Sequence, residues 1–150
     1  MNCFNGKKYL DQSITSILKQ TYQNWEIVFM DNKSNDGSDK IFKSYKDKRL
    51  HYYCVNRHTS LYKARNFALS KCKGELIAFL DVDDIWFSKK LETQVHLFDD
   101  KVVGLSCGNF IILNEKKTKY ISKKIQYQSL PHGIVINELL NDNFVHFSSL

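Results

Sequence analysis

The chain has 150 residues, 43% of them hydrophobic and 25% charged, a balance that suits one folded domain and excludes a disordered polymer. Lysine plus arginine number 22 against 16 aspartates plus glutamates, a net charge of +6, yet Arg49, Arg57 and Arg65 are the only arginines, few for a nucleic-acid binder. No apolar run reaches the roughly 18 residues that cross a bilayer, and the start, MNCFNGKKYL, lacks the basic-then-apolar pattern of a secretory leader.

Apolar spacing predicts a helix over Lys7 to Gln20, with Leu10, Ile14, Ile17 and Leu18 on one face. WEIVFMD, from Trp25 to Asp31, reads as a strand covered on both faces. Turn chemistry follows in NKSNDGS, then a short helix in SDKIFKSYKD. A second strand is expected over Leu50 to Val55 and a helix over Ser60 to Cys72, with Ser60 as its N-cap and Gly74 as its stop. ELIAFLD, Glu75 to Asp81, reads as a third strand, KKLETQVHLF as a further helix, and VGLSCGNFIIL as one or two more strands. NEKKTKYISKKIQYQSLPHG has the pattern of a hairpin and then a loop with the only proline, Pro131.

Strands alternating with helices imply an α/β fold with a largely parallel, Rossmann-like sheet. Both ends read as cut: no strand precedes NCFNGKKYL, and NFVHFSSL stops within a potential strand. Without a first strand, WEIVFMD is expected to lack a neighbour and the chain to aggregate. Cys3, Cys54, Cys72 and Cys107 are scattered with no C-x-x-C pair, which argues for reduced thiols in a cytosolic protein.

Ligands of open parallel sheets bind at the carboxyl ends of the strands. Two of the expected strands end in carboxylates there, at Asp31 and at Asp81, the latter followed by Asp83 and Asp84. Helix capping would account for one aspartate per helix, not three. Asp81 and Asp83 share one side of an extended chain and Asp84 can turn beside them. An all-oxygen set suits Mg²⁺ or Mn²⁺, which is commonly shared with substrate phosphates, so a phosphorylated ligand is implied.

Five motifs occur in order between Asn2 and Gln94: the turn NCFN, a helix ending in LKQTY, a strand ending in DNKSNDGS, the helix segment ARN, and a strand ending in DVDD. In this order they resemble the nucleotide-sugar half of a family 2 glycosyltransferase with the GT-A fold. The resemblance implies a donor part over residues 1–100 and the start of an acceptor part over 101–150. It implies that Asn2, Cys3, Phe4 and Asn5 wrap the base and ribose. Asp31, with Asn32 beside it, would accept from the base, typically uracil N3. Arg65 would face the pyrophosphate and Asp81 the ribose and sugar, while Asp83 and Asp84 would hold Mn²⁺ or Mg²⁺.

The implied reaction moves a sugar from a nucleotide donor, expected to be a UDP-sugar, to a saccharide or lipid-linked acceptor in surface polysaccharide or glycan synthesis, with inversion. A cytoplasmic enzyme is expected, with peripheral association at the inner face of the membrane left open and no nucleic-acid partner. The chain departs from the family at Asn32, where many relatives have aspartate, and in the loop Ser60 to Lys63, which lacks the usual glycine. The acidic segment that normally supplies the general base has no counterpart. Of the tail's carboxylates beyond Asp99 and Asp100, namely Glu115, Glu138 and Asp142, none has that context. The alternative is therefore a non-catalytic nucleotide-sugar binder.

Other site types fit less well. NKSNDG imitates the start of a calcium loop, but Lys43 stands where the closing glutamate belongs. There is no G-x-G-x-x-G for a dinucleotide. His51, His58, His96, His132 and His146 show no metal spacing and read as structural or exposed.

Overall fold

A computed structural model describes residues 1–114, 119–120 and 132–135. Its elements run β1 (Asn2–Cys3), α1 (Leu10–Leu18), β2 (Ile27–Asp31), α2 (Ser38–Ser44), β3 (Leu50–Cys54), α3 (Leu61–Leu69), α4 (Lys90–Val95), a 3-10 turn (His96–Asp99), β4 (Leu113–Asn114) and β5 (Lys119–Tyr120). The fold is the expected mixed α/β arrangement with a parallel sheet flanked by helices.

Strand β2 is central, because all five of its residues are buried. It pairs in parallel with β1, Asn2 opposite Met30 and Cys3 opposite Asp31. On its other side it pairs with β3, from Ile27 opposite Leu50 to Asp31 opposite Cys54. Period-two alternation splits its side chains between two cores. Ile27 and Phe29 join Leu10, Ile14, Ile17 and Phe42 from α1 and α2, together with Leu80, Trp86 and Leu91. Val28 and Met30 face Val55 and the two buried alanines of α3, Ala64 and Ala68. The Phe29 and Phe42 rings stack with centroids 4.2 Å apart. The three parallel strands thus deliver residues 4, 32 and 55 to one edge, between two layers of helix.

Several expectations need correction. A short strand forms within NCFN itself, over its first two residues. β1 is only two residues long, too short for periodicity to announce, and it gives β2 the neighbour it was expected to lack. ELIAFLD joins no strand ladder among the described residues. Leu76 and Ile77 are exposed, while Leu80, 3% exposed, enters the core. VGLSCGNFIIL likewise has no strand before Leu113. The helices all end before their patterns do, and Ser60 precedes α3 in extended backbone as its N-cap residue, without a side-chain cap bond. The expected hairpin begins as β4 pairs with β5 in antiparallel fashion. Residues 115–118 and 121–131 of that stretch, Glu115 and Pro131 among them, lie outside the described residues, as do Glu138, Asp142 and NFVHFSSL.

Candidate donor-binding site

Three loops meet at the carboxyl edge of the sheet and are tied by hydrogen bonds. The loop after β1 turns at Asn5, whose φ of +55° is left-handed, a conformation asparagine tolerates. Asn5 donates its N–H to Ser34 Oγ at 3.0 Å, and its Oδ1 accepts from the Asn35 N–H at 2.9 Å. Lys7 donates its N–H to Asp36 Oδ2 at 2.8 Å, while Asp36 Oδ1 accepts from the Ser38 N–H and hydroxyl at 2.9 and 2.6 Å. Burial pushes the Asp36 carboxyl up, but these Ser38 and Lys7 bonds outweigh it and hold it below the usual carboxylate range.

Asp31 lies beneath these loops, 2% exposed. Its Oδ1 accepts from the Ser34 N–H at 2.8 Å and its Oδ2 from the Tyr52 hydroxyl at 2.7 Å. Burial and this bond drive the Tyr52 phenol far above its ordinary value. Asn32 performs the same service for the loop after β3. Its amide takes the Thr59 N–H at 3.0 Å and donates to the Thr59 carbonyl at 2.7 Å. Its own carbonyl lies 3.0 Å from His58 Nδ1. The His58 ring also meets Phe4, centroids 4.3 Å apart, and both rings are exposed.

The DVDD turn reaches the same edge from the other side. Gly6 is required there: a Cβ at that position would lie 2.8 Å from Val82 Cγ2 and 3.1 Å from Cys3 Sγ. The turn closes with the Asp84 N–H on the Asp81 carbonyl at 3.1 Å, and Ser13 Oγ from α1 donates toward the Asp81 and Asp84 carbonyls at 3.2 and 2.7 Å. Ser16 Oγ accepts from the Trp86 N–H at 3.2 Å. Buried Gln20 donates to the Phe87 carbonyl at 2.8 Å and accepts from the Leu91 N–H at 3.0 Å. The LKQTY motif, to which the sequence assigned no role, braces the segment that follows the acidic turn.

Arg65 Nη2 donates to both oxygens of Asp81, at 2.9 and 3.3 Å. The carboxylates of Asp83 and Asp84 make no bond to any described residue, Asp83 exposed and Asp84 half-buried. Capping does not explain them, since α4 begins only at Lys90 and has no side-chain cap bond. Among the described residues no three potential ligands cluster tightly enough to hold a metal alone. Two hard, uncommitted carboxylates nevertheless fit a Mg²⁺ or Mn²⁺ ion whose other ligands are water and substrate phosphate. The structure therefore brings Asn2 to Asn5, Asp31 and Asn32 to one edge, and joins Arg65 to Asp81 beside Asp83 and Asp84. Gly6, Ser13, Gln20, Ser34, Tyr52, His58 and Thr59 complete the arrangement and were missed from sequence.

Ser13, Ser16 and Gln20 carried a readable signal. Ser13 and Ser16 lie among the buried residues of α1 and buried Gln20 follows just past its end, positions where polar side chains need a buried partner.

Comparison with known proteins agrees with this geometry. A glucosyltransferase of Escherichia coli, WfgD, named for transfer from UDP-Glc to α-D-GlcNAc-diphosphoundecaprenol, is 35% identical over 133 residues, covering 87% of this chain and 53% of the relative. The teichuronic acid biosynthesis glycosyltransferase TuaG of Bacillus subtilis, a putative assignment in its own name, is 30% identical over 117 residues, or 77% of this chain and 46% of TuaG. Residues 1–349 of S. aureus TarS, solved with UDP-GlcNAc, superpose with a TM-score of 0.63 and 27% identity over 66% of this chain and 30% of that one. The chain thus spans about half the length of the curated relatives it matches. The sequence model described as "Glycosyl transferase family 2" matches residues 1–149, so the chain belongs to glycosyltransferase family 2.

Proposed function

We propose that the chain is the donor-binding part of a glycosyltransferase that takes a sugar from a UDP-sugar and passes it, with inversion, to a saccharide or lipid-linked acceptor in surface polysaccharide synthesis. The observation that carries this reading is the juxtaposition of the Arg65–Asp81 pair with two uncommitted carboxylates at the carboxyl edge of a parallel sheet. WfgD's named donor and acceptor and the UDP-GlcNAc held by TarS support the same direction. Residues 1–100 would form the donor part and 101–150 the start of the acceptor side.

In this reading Asn2, Cys3, Phe4 and Asn5 form the wall against base and ribose, and Asp31, with Asn32 beside it, accepts from the base, typically uracil N3. Asp81 turns toward ribose and sugar. Arg65 places a fixed cation by the diphosphate, where negative charge grows as the sugar–phosphate bond breaks. Asp83 and Asp84 would hold Mn²⁺ or Mg²⁺, which when bound supplies Lewis-acid neutralisation of the diphosphate. The acceptor hydroxyl attacks from the face opposite the leaving group and gives its proton to a general base.

No helix among the described residues is long and apolar enough to cross a membrane. A lipid-linked acceptor would bring the protein to the cytoplasmic membrane face as a peripheral visitor. Calorimetry with UDP and ADP, each with Mn²⁺ and with EDTA, tests the donor reading. The expected result is UDP binding that Mn²⁺ strengthens and ADP binding at least about tenfold weaker, or about 1.4 kcal/mol. Equal affinities in all four titrations would reject it. Transfer from UDP-sugars to saccharide and lipid acceptors separates an enzyme from a mere binder.

A further inference from the structure

Helices α1 and α3 pack into the two separate cores of the sheet, and the acidic turn is held from both. From α3, Arg65 grips the Asp81 carboxylate. From α1, the hold passes through one hydroxyl. Ser13 is 0% exposed, and its Oγ lies 2.7 Å from the Asp84 carbonyl oxygen and 3.2 Å from that of Asp81. A serine hydroxyl inside a helix ordinarily turns back to a carbonyl three or four residues earlier, as Ser16 does to Ser13 at 2.7 Å. Ser13 instead gives its hydrogen to a segment 68 and 71 residues away in the chain.

The two carbonyls it reaches are the ends of the turn. The Asp81 carbonyl also accepts the Asp84 N–H at 3.1 Å, which closes the turn on itself. Opening the turn would strand a buried hydroxyl, which is costly. Just beyond Asp84, Ser16 Oγ takes the Trp86 N–H at 3.2 Å, so the backbone is pinned on that side as well. The carboxylates of Asp83 and Asp84 therefore project from a fixed backbone, although no described residue engages the carboxylates themselves. Alanine at position 13 would favour the helix more, so the hydroxyl serves the turn and not the helix. Mg²⁺ binds oxygens in a near-octahedral set at about 2.1 Å, a geometry that wandering carboxylates meet poorly. Groups behind the ligands set that spacing.

Resting on the metal assignment proposed above, we infer that Ser13 is a positioning residue for the acidic turn. Its hydroxyl fixes the backbone between Asp81 and Asp84 so that Asp83 and Asp84 meet one divalent cation together. Ser13 acts through that backbone and touches neither the cation nor the donor.

The test is calorimetry of UDP on the 150-residue chain, in Mn²⁺ and in EDTA, for wild type, Ser13→Cys, Ser13→Ala and Ser13→Thr, with the melting temperature of each. Cysteine keeps the volume but donates weakly. Threonine keeps the hydroxyl and adds a methyl group at a fully buried position. Ser13→Cys and Ser13→Ala are expected to lose about tenfold of the UDP affinity that Mn²⁺ confers, with the affinity in EDTA unchanged. Ser13→Thr is expected to melt below wild type and yet keep the gain. In Ser13→Ala the Asp84 amide is expected to exchange its hydrogen faster. If the gain survives in Ser13→Cys and Ser13→Ala, or falls in all three variants in step with their melting temperatures, Ser13 serves only the fold and the inference is overturned. Equal losses in Mn²⁺ and EDTA, an Asp84 amide that exchanges at the wild-type rate, or variants that do not fold overturn it too. Wild-type UDP binding that Mn²⁺ does not strengthen removes the metal assignment and this inference, with UDP binding intact. Failure of wild type to bind UDP removes the donor reading as well.

Discussion

Arg65 Nη2 stands 2.9 Å from one oxygen of Asp81 and 3.3 Å from the other, joining the middle of α3 to the end of the apolar run that leads into DVDD. The two side chains are 22% and 36% exposed, so water screens their attraction. A double-mutant cycle with Arg65→Ala and Asp81→Ala, read by urea unfolding, should give a coupling of about 0.5–1 kcal/mol. A value above about 3 kcal/mol would mark the pair as a buried structural bridge instead. Donor affinity should respond more strongly than stability. Arg65→Lys, which keeps the charge and gives up the planar fork, should retain part of the UDP binding that Arg65→Ala loses.

A Cβ at position 6 has nowhere to go, because Val82 Cγ2 would lie 2.8 Å away and the β-branched valine turns stiffly. Gly6→Ala should therefore cost about 1–3 kcal/mol. It should also loosen the contact between the NCFN turn and the acidic turn. Adding Val82→Ala opens the space and should restore most of the stability. If Gly6→Ala unfolds with the wild-type urea midpoint, the close approach of these two turns is not a constraint on the fold.

How much of this was legible in the sequence depended on what each residue's partners were. β2 was readable because IVFMD is buried on both faces, which leaves a continuous apolar run. ELIAFLD has the same appearance and pairs with no strand among the described residues, since composition cannot reveal whether a neighbour supplies hydrogen bonds and cover. β1 escaped because two residues have no period. The parallel architecture, the acidic turn and Arg65 were accessible as motifs. Arg65 binding Asp81 was not, because the two lie 16 positions apart and meet only through packing. Asp31 and Asn32 read as ligand contacts; that their oxygens also tie neighbouring loops was not legible, because Tyr52 and Thr59 come beside them only on folding. His58 read as an exposed histidine, which it is; its contacts with Asn32 and Phe4, 26 residues and more away in the chain, arise only on folding.

Asp83 and Asp84 keep carboxylates that no described residue engages. If they hold Mn²⁺ against a diphosphate, Asp83→Ala and Asp84→Ala should each reduce the gain in UDP affinity that Mn²⁺ confers by about tenfold, or about 1.4 kcal/mol. Asp99→Ala, a change at an exposed acid beyond α4, should leave that gain alone. Titrations with UDP in Mn²⁺ and in EDTA make the comparison. A full Mn²⁺ effect in both acidic-turn variants would remove them from the metal assignment.

Lys90 gives a pH dependence of a different origin. Its amine sits 4.3 Å from the Trp86 ring centroid and donates to Gln94, and burial lowers it from 10.5 to about 8. Below pH 8 the folded and unfolded chains both carry this charge, and the folded state bears the whole cost of burying it. Between about 8 and 10.5 the folded amine has released its proton while the unfolded one still holds it, so the unfolded state binds more protons and this contribution to stability rises with pH. The thiols of Cys3, Cys72 and Cys107, raised by burial, act oppositely, since the unfolded chain ionises them first. Tyr52 adds to that opposing trend at still higher pH. These groups are common to wild type and Lys90→Met, so the difference between the two isolates the amine. Lys90→Met should be the more stable protein at pH 7, and its advantage should shrink steadily as pH approaches 10. Urea midpoints at pH 7, 8.5 and 9.5 would show this; an advantage that stays constant or grows with pH would mean that the amine is not depressed by its surroundings.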